Sequence, residues 1–246
     1  MILTICCCFA GLLFLGVPIA VILGVTTLVS LVLFSSTPLT IITQQLFNAL
    51  DQFVLLAIPF FILAGAVMTR GGIARRLINF VNALVGWFPG GLAMAGILAC
   101  IFFAAISGSS PATVVAIGSI MIPALVKAGY GEKFSLGLIT VSGSLGIVIP
   151  PSIPMILYCL VMNVSVAEIF MAGVLPGLLI GFCLMVYTFF IAKKHNWRIA
   201  QEASLSRLIQ TGKEGVWALM LPFIVLGGIY SGVFTPTEAA AVSVVY

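Results

Sequence analysis

Charged side chains are scarce in this sequence. Only 7% of its 246 residues are Asp, Glu, Lys or Arg, whereas 62% are hydrophobic, and the mean hydropathy is +1.32. A soluble domain needs a charged surface, so this composition excludes a soluble protein and predicts an integral membrane protein. The net charge of +4 is small and is not spread as on a nucleic-acid-binding surface, so we interpret it as information on membrane topology.

The chain also lacks the residues that intramembrane enzymes use. Its only histidine, His195, follows two lysines at the end of an apolar run, which excludes a serine–histidine protease site at membrane depth. No acid lies in the middle of an apolar run, so we expect neither paired-carboxylate catalysis nor a simple proton relay. Zinc ligands are missing as well. The sequence therefore predicts a protein that is not an enzyme and has no cofactor.

The cysteines carry no recognisable chemistry. None has metal-ligand spacing with histidine, and all lie within apolar runs, where cysteine behaves as a small hydrophobic residue. We therefore expect six small hydrophobic side chains that face lipid or pack against protein, and no disulfide framework. They are Cys6, Cys7, Cys8, Cys100, Cys159 and Cys183.

Residues 91–126 form an apolar stretch interrupted by a short polar segment, Ser107–Thr113. As one helix the stretch would be about 54 Å long against a hydrocarbon core of about 30 Å, yet two full crossings would need more than about 40 residues. Two half-length helices that meet at Ser107–Ser110 fit this length, as a re-entrant hairpin. Ser110 is expected to cap the second half, with Pro111 at its first position. Because non-helical backbone at this depth must be buried by protein or line a wet cavity, the hairpin tip predicts a binding site.

A second apolar segment, residues 134–163, is interrupted in a similar way. Ser142, Gly143, Ser144 and Gly146 precede three prolines, Pro150, Pro151 and Pro154. Prolines remove backbone donors and cannot lie inside a regular helix. Two interrupted segments close in sequence are typical of a transporter site, where hydroxyls, carbonyls and helix termini bind ions and anions. The alternative is that Gly and Ser only allow tight packing and that the prolines only kink the helix.

The rest of the chain predicts further spans. Residues 2–34 are expected to form one long, kinked span with a weak point at Gly16–Pro18, or alternatively a tight pair of short spans. Asp51 is expected to cap the apolar run Phe53–Met68. The expected order is a first span and interfacial segment (1–52), a second span and amphipathic arm helix (53–90), the re-entrant hairpin (91–126), a broken span (127–163), a closing span (164–195), a polar cytoplasmic connector (196–214), and a further span with the cut-short start of a second repeat (215–246).

Two local patterns support this order. Thr235 and Glu238 form a predicted capping box with Pro236 at the first helical position, so a new helix is expected there. It is cut short of a span at Tyr246, which suggests a longer protein. The basic clusters fall on one face, as the positive-inside rule requires, only if 91–126 returns to its own side. These clusters are Arg70, Arg75 and Arg76, then Lys127 and Lys133, then Lys193 to Lys213.

Several motifs together resemble the large membrane (M) subunit of the TRAP transporters, the tripartite ATP-independent periplasmic transporters. The resemblance covers nearly the whole chain, in order. The motifs that carry it are AIPFFILAG (57–65), GGIARRLINF (71–80), ISGSSPATVVAIGSIMIPAL (106–125), GSLGIVIPPSIPM (143–155), FMAGVLPGL (170–178) and GGIYSGVFTPTEAAA (227–241).

This resemblance implies a function and partners. Members of the family lie in the bacterial inner membrane and pair with a small four-helix membrane (Q) subunit. A periplasmic substrate-binding protein delivers organic anions such as C4-dicarboxylates or sialic acid, and a sodium gradient drives uptake. The implied fold is an all-α, polytopic, elevator-type ion transporter made of two inverted repeats, of which this chain would supply the first. The second sodium site and half of the substrate pocket are therefore not expected here.

The resemblance also implies site residues. The hairpin tip and the unwound helix beside it would form one sodium site and one wall of the substrate site. Sodium would be held by Ser107, Ser109, Ser110 and Gly143. The full implied set is Ser107, Gly108, Ser109, Ser110, Thr113, Gly143, Ser144, Gly146, Pro150 and Pro151. Three other functions stay open: an ion channel whose pore loop is the hairpin, another secondary transporter of the same elevator superfamily, and a membrane assembly partner that does not itself transport.

Overall fold

The chain is helical in the computed structural model, which describes residues 1–36, 38–197 and 204–246, and no strand occurs in those ranges. Within these ranges, five helical segments are long and apolar enough to cross a membrane, which makes the chain a multi-pass membrane protein and confirms the all-α, polytopic prediction. These segments are Phe53–Arg70, Ser110–Lys127, Glu132–Met162, Val166–Lys194 and Leu205–Tyr230.

The helices are numbered in chain order, and a 3₁₀ turn, Phe53–Leu56, lies between α3 and α4. Their bounds are α1 Ile2–Phe14, α2 Ile19–Phe34, α3 Thr40–Leu50, α4 Ala57–Arg70, α5 Ile73–Val85, α6 Gly91–Ser107, α7 Ser110–Lys127, α8 Glu132–Gly143, α9 Leu145–Val148, α10 Ile153–Met162, α11 Val166–Lys194, α12 Leu205–Tyr230 and α13 Pro236–Val245.

In the first compact unit, Met1–Gln52, residues 2–34 form two short helices, α1 and α2, where we expected one long span. Gly16 has a left-handed φ of +71° and Pro18 caps α2, so the chain reverses instead of kinking. Met1 and Phe34 consequently line the same cavity. The preferred interpretation of one continuous span was wrong, and the alternative of a pair of short helices describes the structure.

The position of Asp51 is a second correction. Asp51 lies at the C-terminal end of α3, whereas α4 begins at Ala57 after the 3₁₀ turn. Asp51 therefore does not cap the apolar helix that follows it.

The second compact unit, Phe53–Tyr246, contains the amphipathic helix that the sequence predicts. This helix, α5, begins at Ile73. Arg75 and Arg76 are exposed. The residues at the first, fourth, fifth and eighth positions counted from Ala74 share one face and are buried, as a helix packed on one side requires. The buried residues are Ala74, Leu77, Ile78 and Val81.

Serine caps start two of the helices. Ser165 accepts from the Glu168 N–H at 3.5 Å, which places Glu168 inside the first turn of α11. Ser204 accepts from the Arg207 N–H at 3.4 Å. Most of the predicted connector, residues 205–214, is therefore the first part of α12. Arg198 and the rest of 198–203 lie outside the described residues.

A stripe of glycines on α11 fixes the position of the second break. A Cβ atom at Gly177 would lie 2.5 Å from Ile149, and one at Gly173 would lie 2.8 Å from the Val148 carbonyl oxygen. Glycines four residues apart allow close helix approach in membranes, where packing drives association. The helix α11 therefore supports the chain where α9 ends.

The predicted capping box at the start of α13 is confirmed. The Thr235 N–H donates to Glu238 Oε2 at 2.8 Å, and the Glu238 N–H donates to Thr235 Oγ1 at 3.3 Å. The Thr235 backbone and hydroxyl lower the pKa of this exposed carboxyl. Thr237 donates to the Phe53 carbonyl oxygen at 3.1 Å, so the box also fixes α13 against the 3₁₀ turn before α4.

We expect Thr235→Ala to lower the free energy of unfolding by about 1 kcal/mol, the usual contribution of such a cap. Ser231→Ala is the control, because the exposed Ser231 hydroxyl donates only to Gly228 of its own helix. Thermal unfolding in detergent micelles measures both variants. Because the folded-state pKa of Glu238 is lowered, its contribution is present at neutral pH and is lost as the pH falls through that pKa. Equal melting temperatures for the two variants would contradict the assignment.

Candidate functional site

The first break is the tip of an antiparallel helical hairpin. The helix α6 ends at Ser107, Gly108 takes a left-handed φ of +60°, and α7 begins at Ser110. A Cβ atom at Gly96 would lie 3.3 Å from Met121 Cε, so residues equally far from the tip face each other. The hairpin and the position of its tip agree with the sequence prediction. That it re-enters the membrane stays a prediction.

Hydroxyl groups tie the two sides of the tip together. Ser107 Oγ lies 3.1 Å from Thr113 Oγ1, and the Thr113 hydroxyl donates to the Ser109 carbonyl oxygen at 2.9 Å. Ser107 is 1% exposed and Thr113 is fully buried. A Cβ atom at Gly65 of α4 would lie 3.2 Å from Ser107 Cβ, which closes the site from that side. These two hydroxyls therefore hold the backbone of the tip in place.

Ser109 and Ser110 differ from this buried pair. The N-cap of α7 is Ser109, not the predicted Ser110, because the left-handed Gly108 ends α6 early enough for Ser110 to join the helix. Ser109 makes no side-chain cap bond. Both serines are partly exposed, and within the described part of the chain neither hydroxyl has a hydrogen-bond partner. These oxygens are therefore available to a ligand.

The second break lies between α9 and α10. The helix bends at Ser144, and residues 149–152 are non-helical, with a cis peptide bond between Pro150 and Pro151. The buried Ser152 donates to the Ile147 carbonyl oxygen at 2.8 Å, which satisfies one acceptor that the unwound segment leaves free. Ser144 donates to Val141 of its own helix at 2.7 Å.

The two breaks contact each other through their backbones. The Ile153 N–H donates to the Gly108 carbonyl oxygen at 3.1 Å. A Cβ atom at Gly108 would lie 2.8 Å from the Pro151 carbonyl oxygen, and one at Gly146 would lie 2.7 Å from that of Ser109. Only glycine permits such an approach. The junction of the tip with residues 146–153 is the candidate site.

Helix termini of both polarities meet at this junction. The chain enters it at the C-terminal ends of α6 and α9 and leaves it at the N-terminal ends of α7 and α10. Free carbonyl groups give a C-terminal end partial negative charge, and free N–H groups give an N-terminal end partial positive charge. The arrangement therefore offers oxygens to a cation and N–H groups to an anion without a charged side chain.

The structure brings nearly all of the predicted site residues into this junction. The contact itself is made by Gly108, Ser109, Ser110, Gly146 and Pro151. Pro150 precedes Pro151 in the non-helical segment, and Ser107 and Thr113 bond to each other within the tip. Gly143 packs against Val114 of α7, one turn away. Ser144 is the exception, since its hydroxyl is taken up by its own helix.

Sequence reasoning missed two residues of the site. Ser152 bonds across the break, and Gly65 closes one side of the tip. Ser152 directly follows the paired prolines, so it carried a local signal. Gly65 carried none, because its role depends on a contact between distant segments.

The cysteines lie both on the surface and in the interior of the helices. All six are free, and Cys100 and Cys159 are buried. Among the described residues no group of three or more His, Cys, Asp or Glu side chains is placed to hold a metal ion.

Comparison with known proteins gives the family. The model of the tripartite ATP-independent periplasmic transporter DctM component matches residues 6–246. The C4-dicarboxylate TRAP transporter large permease protein DctM of Vibrio cholerae is 50% identical over 237 residues, covering 96% of this chain and 52% of the relative. The isethionate TRAP transporter permease protein DctMQ of Oleidesulfovibrio alaskensis is 46% identical, covering 97% and 38%. The sialic acid TRAP transporter large permease protein SiaM of Vibrio cholerae is 41% identical, covering 96% and 55%. The chain thus spans about half the length, or less, of these curated relatives.

Gly108→Ala tests the junction. The new Cβ would meet the Pro151 carbonyl oxygen at 2.8 Å, in addition to the strain of a left-handed residue. Gly129→Ala is a matched control, because Gly129 also has a positive φ but a Cβ there meets nothing within 4 Å. We expect the control to lose about 1–2 kcal/mol of stability and Gly108→Ala to lose clearly more, as measured by thermal unfolding in detergent. Equal losses would show that the two breaks do not touch.

Proposed function

Because this chain belongs to the DctM family of tripartite ATP-independent periplasmic transporters, we propose that it is the N-terminal portion of a large permease subunit that imports a small organic anion with sodium. The family is one of transporters, so an enzyme is not expected and the channel alternative loses its support. The observation that carries the proposal is the contact of two helix breaks at one junction.

The proposed substrate is a C4-dicarboxylate, sialic acid or a related organic anion. Relatives are named for C4-dicarboxylates and for sialic acid. The N-terminal ends of α7 and α10 support an anion site, because helix N-termini present N–H groups and partial positive charge. This chain would supply one wall of the pocket, and the rest of the permease would supply the other.

The proposed coupling ion is sodium, bound by oxygens of the hairpin tip. Ser109 and Ser110 support this, because their hydroxyls are partly exposed and unbonded within the described residues. Carbonyl groups at the ends of α6 and α9 add further oxygens of the kind that sodium sites in broken helices use. Among the expected ligands, Ser107 would have to exchange its bond with Thr113. The carbonyl of Gly143 would complete the set.

The proposed assembly has three parts in and around the bacterial inner membrane. A small four-helix Q subunit would pair with the permease, and a periplasmic binding protein would deliver the anion. The family supports this proposal through its tripartite name, and one relative is named as a DctMQ permease. Transport would follow an elevator mechanism, in which the element carrying both breaks shifts across the membrane.

Labelling of single cysteines tests the proposed topology. The six native cysteines are first removed, and a single cysteine is then placed at Arg76, Lys133 or Glu168, all of which are exposed. Membrane-impermeant reagents are applied from each side of the membrane. We expect Arg76 and Lys133 to label from the cytoplasm and Glu168 from the opposite side, since the positive-inside rule applies to the clusters. If Arg76 and Lys133 label from opposite sides, the stretch between them is a plain crossing and does not re-enter.

Serine-to-alanine variants test the sodium site. In the full-length permease with its partners, reconstituted in vesicles, we expect Ser109→Ala and Ser110→Ala each to shift sodium activation of uptake to higher concentrations. Thermal stability should change little, because neither hydroxyl makes a bond within the described residues. Ser119→Ala is the control, since this exposed α7 serine donates only to Ala116 of its own helix. An unchanged sodium activation curve would remove both serines from the site.

A further inference from the structure

A groove of about 490 Å³ lies between α8 and α11, away from the junction. Both walls belong to segments long and apolar enough to cross a membrane, so we expect the groove to open toward lipid. The lining residues are mostly apolar, with one lysine and one tyrosine: Lys133, Phe134, Gly137, Leu138, Val141, Leu184 and Tyr187.

The α8 side of this groove has the length and the open space to take a single acyl chain. Lys133, Gly137 and Val141 are four residues apart, so they follow one face of α8 over about 12 Å. Gly137 has no side chain, and a Cβ there would meet nothing within 4 Å, which leaves the middle of the groove open. Leu184 lines the opposite wall.

One end of the groove is basic. The rings of Phe134 and Trp197 are 4.7 Å apart, so the end of α11 lies beside the start of α8. Lys194 follows Tyr187 by seven residues and therefore lies on the same face of α11, at the end of this helix that meets the start of α8. Lys193 is turned away by about 100° from Lys194. Glu132, the acid next to Lys133 in sequence, lies at the opposite side of α8 from the groove.

Aromatic side chains gather at the same end. The Trp197 ring lies 4.3 Å from that of Tyr130, and the ring of His195 stacks on Trp197 at 5.5 Å. Tyr and Trp are enriched at the level of lipid headgroups, so this end of the groove lies at the membrane surface.

We propose that the groove between α8 and α11 binds an anionic phospholipid, with the headgroup phosphate between Lys133 and Lys194 and one acyl chain along Gly137 and Val141. Charge complementarity selects this occupant, because paired cations at headgroup level favour a net negative lipid over a zwitterionic one. The apolar α8 side of the groove, along Gly137 and Val141, then holds an acyl chain of the same lipid molecule.

Native mass spectrometry tests the site in the full-length permease complex. The complex is purified in detergent and equilibrated with mixed micelles holding equal amounts of phosphatidylglycerol and phosphatidylethanolamine. We expect preferential retention of phosphatidylglycerol. The variants Lys133→Gln and Lys194→Gln should each weaken that retention about fivefold, and both together about thirtyfold. Lys193→Gln is the matched control and should have no effect, because its side chain points away from the groove.

A steric variant tests the acyl-chain position independently. Gly137→Leu should abolish retention without lowering thermal stability, because its side chain fills open space. Gly227→Leu, at an exposed glycine of α12 that also has nothing within 4 Å, should leave retention unchanged. Equal retention of the two lipids would overturn the proposal, as would a double lysine variant that binds like the wild type. Failure of Gly137→Leu to displace lipid would show that protein, not lipid, covers the groove.

Discussion

Unpaired backbone groups are the constraint on which this structure depends. In an apolar interior each unsatisfied N–H or C=O group costs several kcal/mol, yet the chain breaks two helices there. The breaks satisfy each other: the Ile153 N–H donates to the Gly108 carbonyl oxygen. Side chains satisfy further acceptors, Thr113 that of Ser109 and Ser152 that of Ile147. Each break is therefore stable only beside its partner.

Close backbone contact needs residues without side chains, and this requirement explains where the glycines lie. Gly108 and Gly146 permit the contact of the breaks, and Gly65 lets α4 approach Ser107. Glycines of α11 support the segment around Ile149 from outside. Because lipid is as apolar as the helices, such packing replaces the hydrophobic effect as the source of association.

The sequence was sufficient to predict both breaks, because each carries local signals: a polar segment between apolar halves, and consecutive prolines. It also predicted the capping box, whose members are three residues apart. It did not predict the chain reversal at Gly16, since glycine and proline are equally compatible with a kink and a reversal and only the packing of α1 on α2 decides. The roles of Gly65 and of the Gly108–Ile153 bond escaped prediction because both depend on contacts between segments that are distant in sequence.

The bond between Gly108 and Ile153 also has a mechanical consequence. If the hairpin tip moved away alone, the Gly108 carbonyl oxygen and the Ile153 N–H would both lose their hydrogen-bond partner. We therefore expect the tip not to move as an independent gate. Because the hydrogen bond between Gly108 and Ile153 joins the two breaks, we expect them to be displaced together as one unit.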